Sequence, residues 1–125
     1  MKAITQEWLD KAEGDCRVAS REWENDDPVL DAVCFHAQQC IEKYLKAWLT
    51  ERGISFLKIH DLETLARQCI PTLPELGNSM DDFAFLTSAS VETRYPGLAM
   101  ETGDAQKAIK MMQDLRTIFR HKFKL

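Results

Sequence analysis

Four prolines and five glycines are spread through 125 residues, so the chain has few breakers and no flexible low-complexity segment. It also lacks alternating runs of β-branched residues, which argues against a sheet. No apolar run approaches the ~18–20 residues needed to span a bilayer. The first residues, MKAITQEWLDKAEGD, are charged early and have no apolar core of a secretory leader. A basic excess is missing too. The net charge is −4, which argues against broad nucleic-acid binding, because such affinity is mostly phosphate neutralisation. A small local basic site remains compatible with it.

Cysteine is present but unpatterned. Cys16, Cys34, Cys40 and Cys69 form no C-x-x-C pair and have no histidine at zinc spacing. They read as reduced, small core residues of a cytoplasmic protein, and no metal site is expected.

What the chain does have is helical periodicity. The expectation is all-α: a single domain over residues 1–125, an up-and-down antiparallel bundle of about five helices. The first helix covers about residues 4 to 24, with Ile4, Trp8, Ala12, Cys16, Ala19 and Trp23 on one stripe. The second runs from about Pro28 to Arg52, stopped by Gly53. The third covers about Asp61 to Ile70, with Asp61 as N-cap. The fourth starts at Ser79, with Asp82 placed as in a capping box. The turn TRYPG follows, and the fifth helix covers about Thr102 to Lys122.

The second helix carries the most information, in the stretch CFHAQQCIEKYLKAWL from Cys34 to Leu49. At ~100° per residue, Ala37, Cys40, Ile41, Tyr44, Leu45, Ala47, Trp48 and Leu49 fill an arc of roughly 200°. Such a wide arc predicts a central helix. His36, Gln39, Lys43 and Lys46 share the other side at spacings of 3, 4 and 3. An imidazole, an amide and two ammonium groups in one row suit a phosphate or a carboxylate. They equally suit a solvated face, with Glu42 paired to Lys46 four residues on. Gln38 falls inside the apolar arc. A buried amide without partners costs on the order of 1–3 kcal/mol, so Gln38 is expected to be structural.

Three segments together resemble the HEPN domain of small prokaryotic proteins: FHAQQCIEKYLKAWL, then KIHDLETL, then TRYP. The matching positions are His36, Gln38, Gln39, Glu42, Lys43, Lys46, Ala47 and Leu49; His60, Asp61 and Leu62; and Arg94, Tyr95 and Pro96. The resemblance implies a helical bundle that forms homodimers. It implies a possible ligand, a nucleotide, with no cofactor. It also implies pairing with a minimal nucleotidyltransferase in a toxin–antitoxin-like two-component system. His36, Gln39, Lys43, Lys46 and Arg94 are then candidate nucleotide or partner contacts. Asp61, Tyr95 and Pro96 read as structural: a cap, a half-buried ring and a turn. Arg94 has two readings, a salt bridge to Glu42 or a ligand contact.

Another HEPN branch implies a different activity, metal-independent RNA cleavage through Arg-x4-6-His. This chain has Arg116 and His121 at that spacing, with Thr117 where the branch carries Asn, Asp or His. His121 would then move protons and Arg116 would stabilise phosphorane charge. Residues five apart point ~140° apart on a helix, so the two side chains would converge only with help from a second chain. Cations also favour a helix C-terminus for its dipole alone. A third reading is a helical dimer that acts as a scaffold without a ligand.

Overall fold

The computed structural model describes all 125 residues, and its regular structure is helical throughout. The five α-helices are α1 (Ala3–Trp23), α2 (Leu30–Glu51), α3 (Leu62–Cys69), α4 (Met80–Glu92) and α5 (Thr102–Phe123). A 3-10 turn, Pro74–Ser79, leads directly into α4. The all-α bundle expected from periodicity is the observed fold.

Helix α2 is the axis of the bundle and packs on α1, α3, α4 and α5. Its whole predicted apolar arc is buried, from Ala37 to Leu49. The stacked pair Tyr44–Phe119, with ring centroids 5.3 Å apart, ties α2 to α5. Burying such rings contributes about 0.5–1.5 kcal/mol beyond area alone. Phe83, Leu86 and Ala89 of α4 and Ala105, Ala108, Ile109, Met112, Leu115 and Phe119 of α5 face the same core.

Helix ends follow local chemistry. Gly53 adopts φ +68° after α2. Its N–H bonds to Thr50 O at 3.1 Å, and that of Ile54 to Leu49 O at 2.9 Å. This pair of bonds is a Schellman ending, for which glycine has no Cβ penalty. Asp61 caps α3 by accepting from the Glu63 N–H at 3.0 Å. At α5, Glu101 and Asp104 form a reciprocal capping box.

Several local expectations are corrected. Helix α2 starts at Leu30: Val29 is its N-cap, with an extended backbone (φ −77°, ψ 96°), and its N–H donates to the Glu22 carboxylate at 2.9 Å. The Ser79 capping box does not form, since the 3-10 turn continues into α4 and Ser79 makes no side-chain cap. The buried stripe of α1 is rotated: Thr5 and Leu9 are buried, while Ile4 is 49% exposed. Trp8, Cys16 and Trp23 pack at its margins.

Candidate functional site

The polar row of α2 turns towards α1 and the loop after α2. At its N-terminal end, His36 Nδ1 lies 2.8 Å from Asp15 Oδ1. Lys43 Nζ bonds the other oxygen of the same carboxylate. Asp15 sits between Ala12 and Ala19 on the buried stripe of α1 and is nearly buried itself. One carboxylate therefore fixes two side chains that lie two turns apart on α2.

The C-terminal end of the row is closed. Lys46 has a side chain only 8% exposed and donates to Glu42 Oε2 at 3.2 Å. Its ammonium also lies 5.5 Å from the Trp8 ring centroid and 5.9 Å from that of Phe56. The other Glu42 oxygen meets His60 Nδ1 at 2.8 Å and Gln38 Nε2 at 3.3 Å. Gln38 is fully buried, donates to His60 O at 3.0 Å and accepts from Gln39 Nε2 at 2.8 Å. Every partner a buried amide requires is thus supplied within the chain, and the loop carrying His60 is latched to α2. The pairing of Glu42 with Lys46 follows from their i, i+4 spacing.

Arg94 lies elsewhere, in the turn after α4. It is exposed and takes part in no ion pair. Glu42 is already committed to Lys46 and His60, which removes it as the partner of Arg94. Instead Arg94 and Thr93 form one side of an open groove of about 300 Å³, with Asp31, Ala32, Phe35 and His36 on the other. Phe35 and His36 meet edge to face with centroids 5.3 Å apart. Asp31 Oδ1 accepts the Met100 N–H at 3.0 Å, which anchors the turn segment to α2. Gly97, at φ +85°, lets the chain reverse after Pro96. Tyr95 is 59% exposed and so is not the half-buried ring expected from its place in the turn.

Arg116 and His121 are not brought together. Arg116 Nε and Nη2 clasp the Glu13 carboxylate at 2.8 and 2.5 Å, while His121 is exposed. The Arg116 hydrogen bonds are the largest cause holding the Glu13 carboxyl down at about 2. Glu13 in turn raises the pKa of Arg116.

The chain combines five helices in this order with a polar face on α2, a capped His60-Asp61-Leu62 segment and an Arg94-Tyr95-Pro96 turn before α5. The sequence matches the model of the HEPN domain over residues 5–122. The chain belongs to the HEPN domain family. Its fold is similar to that of TT1696 from Thermus thermophilus, with a TM-score of 0.83 and 20% identity, covering 97% of this chain and 99% of that one. No curated protein matches the chain. HEPN domains commonly dimerise, and no helix of this one is long and apolar enough to cross a membrane.

Asp15, Glu13, Asp31 and Phe35 are site residues that the α2 wheel did not reveal. For Asp15 a signal existed: a carboxylate on the Ala12–Ala19 stripe of α1 demands a partner. Glu13, Asp31 and Phe35 carry no comparable mark, because their neighbours come from distant segments.

Proposed function

We propose that this HEPN protein is a nucleotide-binding and partner-binding component of a two-component nucleotidyltransferase system, working as a homodimer. One observation carries the nucleotide reading: Arg94, a cation without a carboxylate, shares a groove with His36 and the ring of Phe35. Arg94 supplies a planar donor fork for a phosphate group. Phe35 supplies an aromatic surface on which a base can stack. The free oxygen of Asp31 supplies an acceptor for an amino or hydroxyl group. A volume near 300 Å³ lies at the lower end of ordinary ligand pockets. It suits part of a nucleotide, with the remainder outside or against a second chain.

The five candidate contacts then divide into roles. Arg94 and His36 touch the ligand. Lys43 acts through Asp15, which it shares with His36. Gln39 and Lys46 hold the helix face and the loop beside it. The partner reading draws support from Val91, Tyr95 and Leu98, exposed apolar side chains on and beside the segment that carries Arg94.

Titration calorimetry with ATP tests the ligand reading. Binding that disappears in Arg94→Ala supports it. Purification of the tagged protein from its own host, with mass spectrometry, tests the partner reading. Recovery of a small nucleotidyltransferase supports it, and recovery of this chain alone speaks against it. RNA decay in cells that vanishes in His121→Ala would instead favour the ribonuclease branch. A stable dimer with no nucleotide response would favour a scaffold.

A further inference from the structure

Helices α1 and α2 pack side by side in opposite directions, and their side-chain contacts set the register. Near one end the Thr5 hydroxyl donates to Glu51 Oε1 at 2.9 Å. Further along, the Tyr44 hydroxyl donates to Glu13 at 2.6 Å and Asp15 holds His36 at 2.8 Å. Eleven residues on from Thr5 stands Cys16, and eleven back from Glu51 stands Cys40. Eleven residues make about three helical turns, so the two cysteines face each other as Thr5 and Glu51 do. Their thiols are in hydrogen-bonding contact, with Cys40 as the donor.

The pair is asymmetric. Cys16 is half-buried at the margin of the α1 stripe, whereas Cys40 is fully buried. The hydrogen bond from Cys40, opposed by partial burial and assisted by the Arg116 charge, holds the Cys16 thiol down at about 6. The same hydrogen bond, together with burial, pushes the Cys40 thiol well up. The thiolate is the nucleophilic form of cysteine, and an oxidised cysteine condenses to a disulfide when a second thiol stands next to it. The other two cysteines lack these features. Cys34 and Cys69 are fully buried, burial pushes both thiols up to about 12, and Cys69 Sγ donates to Leu45 O.

We propose that Cys16 and Cys40 form a peroxide-responsive modification site, in which hydrogen peroxide oxidises Cys16 and Cys40 then closes a reversible disulfide between α1 and α2. In the first step the Cys16 thiolate attacks one peroxide oxygen. An S–O bond forms, the O–O bond breaks and hydroxide leaves. Sulfur gives up two electrons to the peroxide, and Cys16 becomes a sulfenic acid. In the second step the Cys40 sulfur attacks the Cys16 sulfur. The S–S bond forms, the S–O bond breaks, and the leaving hydroxyl takes the Cys40 proton to depart as water. A dithiol reductant restores both thiols and is itself oxidised to a disulfide. The bond ties α1 to α2 next to Asp15, the carboxylate that anchors His36. The site stands apart from the Arg94 groove and does not depend on the nucleotide reading of that groove.

The test is treatment of the folded wild type with hydrogen peroxide at neutral pH, then alkylation, non-reducing trypsin digestion and mass spectrometry. The expected product is a single chain lighter by two hydrogens, with the peptide of residues 12–17 joined to that of residues 22–43. Fragmentation should place the bond at Cys40 and not at Cys34, and dithiothreitol should reverse it. In Cys40→Ser, oxidation should yield a Cys16 sulfenic acid that dimedone captures. In Cys16→Ser, Cys40 should oxidise at least tenfold more slowly than Cys16 does in the wild type. Circular dichroism establishes that each variant is folded. If one is not, a brief iodoacetamide pulse on the wild type takes its place, and it should label Cys16 at least tenfold faster than Cys34 or Cys69. Absence of the Cys16–Cys40 bond in the treated wild type would overturn the proposal, as would a bond to Cys34 or between two chains. Labelling of Cys16 no faster than that of Cys34 and Cys69 would overturn it too.

Discussion

His36 of α2 and Asp15 of α1 meet at 2.8 Å, and the same carboxylate holds Lys43. The contact engages Nδ1 of the imidazole and leaves Nε2 as its second nitrogen. It couples the groove wall to the α1–α2 interface. The Asp15→Asn variant keeps the shape but removes the charge. It should lower stability by about 1–3 kcal/mol and weaken ATP binding, because His36 loses its anchor. Urea unfolding and calorimetry read the two effects separately. Intact ATP affinity in a destabilised Asp15→Asn would separate His36 from the ligand.

Lys46 belongs to the fold more than to the ligand. Its ammonium is enclosed by Glu42, Trp8 and Phe56. Truncation to alanine leaves the Glu42 carboxylate buried with fewer partners. Removing one member of a buried pair costs about 3–5 kcal/mol. Lys46→Ala should therefore unfold at markedly lower urea while any folded protein still responds to ATP. A stable Lys46→Ala that has lost the ATP response would reverse this assignment.

Glu13 gives the protein an acid dependence of known sign. Its carboxyl is lowered from about 4.5 to about 2, first by hydrogen bonding to Arg116. The folded state therefore binds the proton more weakly than the unfolded state. The resulting stability is fully present above about pH 4.5 and is lost as pH falls towards 2. The stability gap between the wild type and Glu13→Gln should shrink over that window. A gap that stays constant from about pH 5 to about pH 2.5 would contradict the ion pair.

Gly53 is held at φ +68°, with its N–H bonded to Thr50 O. An alanine in that conformation costs about 1–2 kcal/mol. Gly53→Ala should shift the urea midpoint accordingly without changing the unfolding slope. A neutral substitution would mean that the end of α2 relaxes freely.

Much of this fold is legible in the sequence because helix positions are local. The α2 arc, the Asp61 cap and the Gly53 stop each depend on residues within one or two turns. The rotation of the α1 stripe was not legible. Ile4 and Leu9 are both apolar, and only the position of α2 decides which of them is covered. The same holds for the site. His36 and Arg94 stand out as polar residues in a family-like pattern, yet nothing local says that they share a groove. The row from His36 to Lys46 is real as a helix face, but α1 supplies Asp15 and Trp8, which divide it into an anchored end and a closed end. Asp15 meets its partners only across the fold, and Glu42, paired locally with Lys46, reaches His60 only through the loop after α2.

Calorimetric titration of ATP into the wild type and Arg94→Ala addresses the central claim most directly. Arg94 is exposed and unpaired, so its removal should change stability by no more than about 0.5 kcal/mol. The account predicts saturable binding to the wild type and at least tenfold weaker binding to Arg94→Ala, a difference of about 1.4 kcal/mol or more. Equal affinities for the two proteins, or no binding to the wild type, would contradict it.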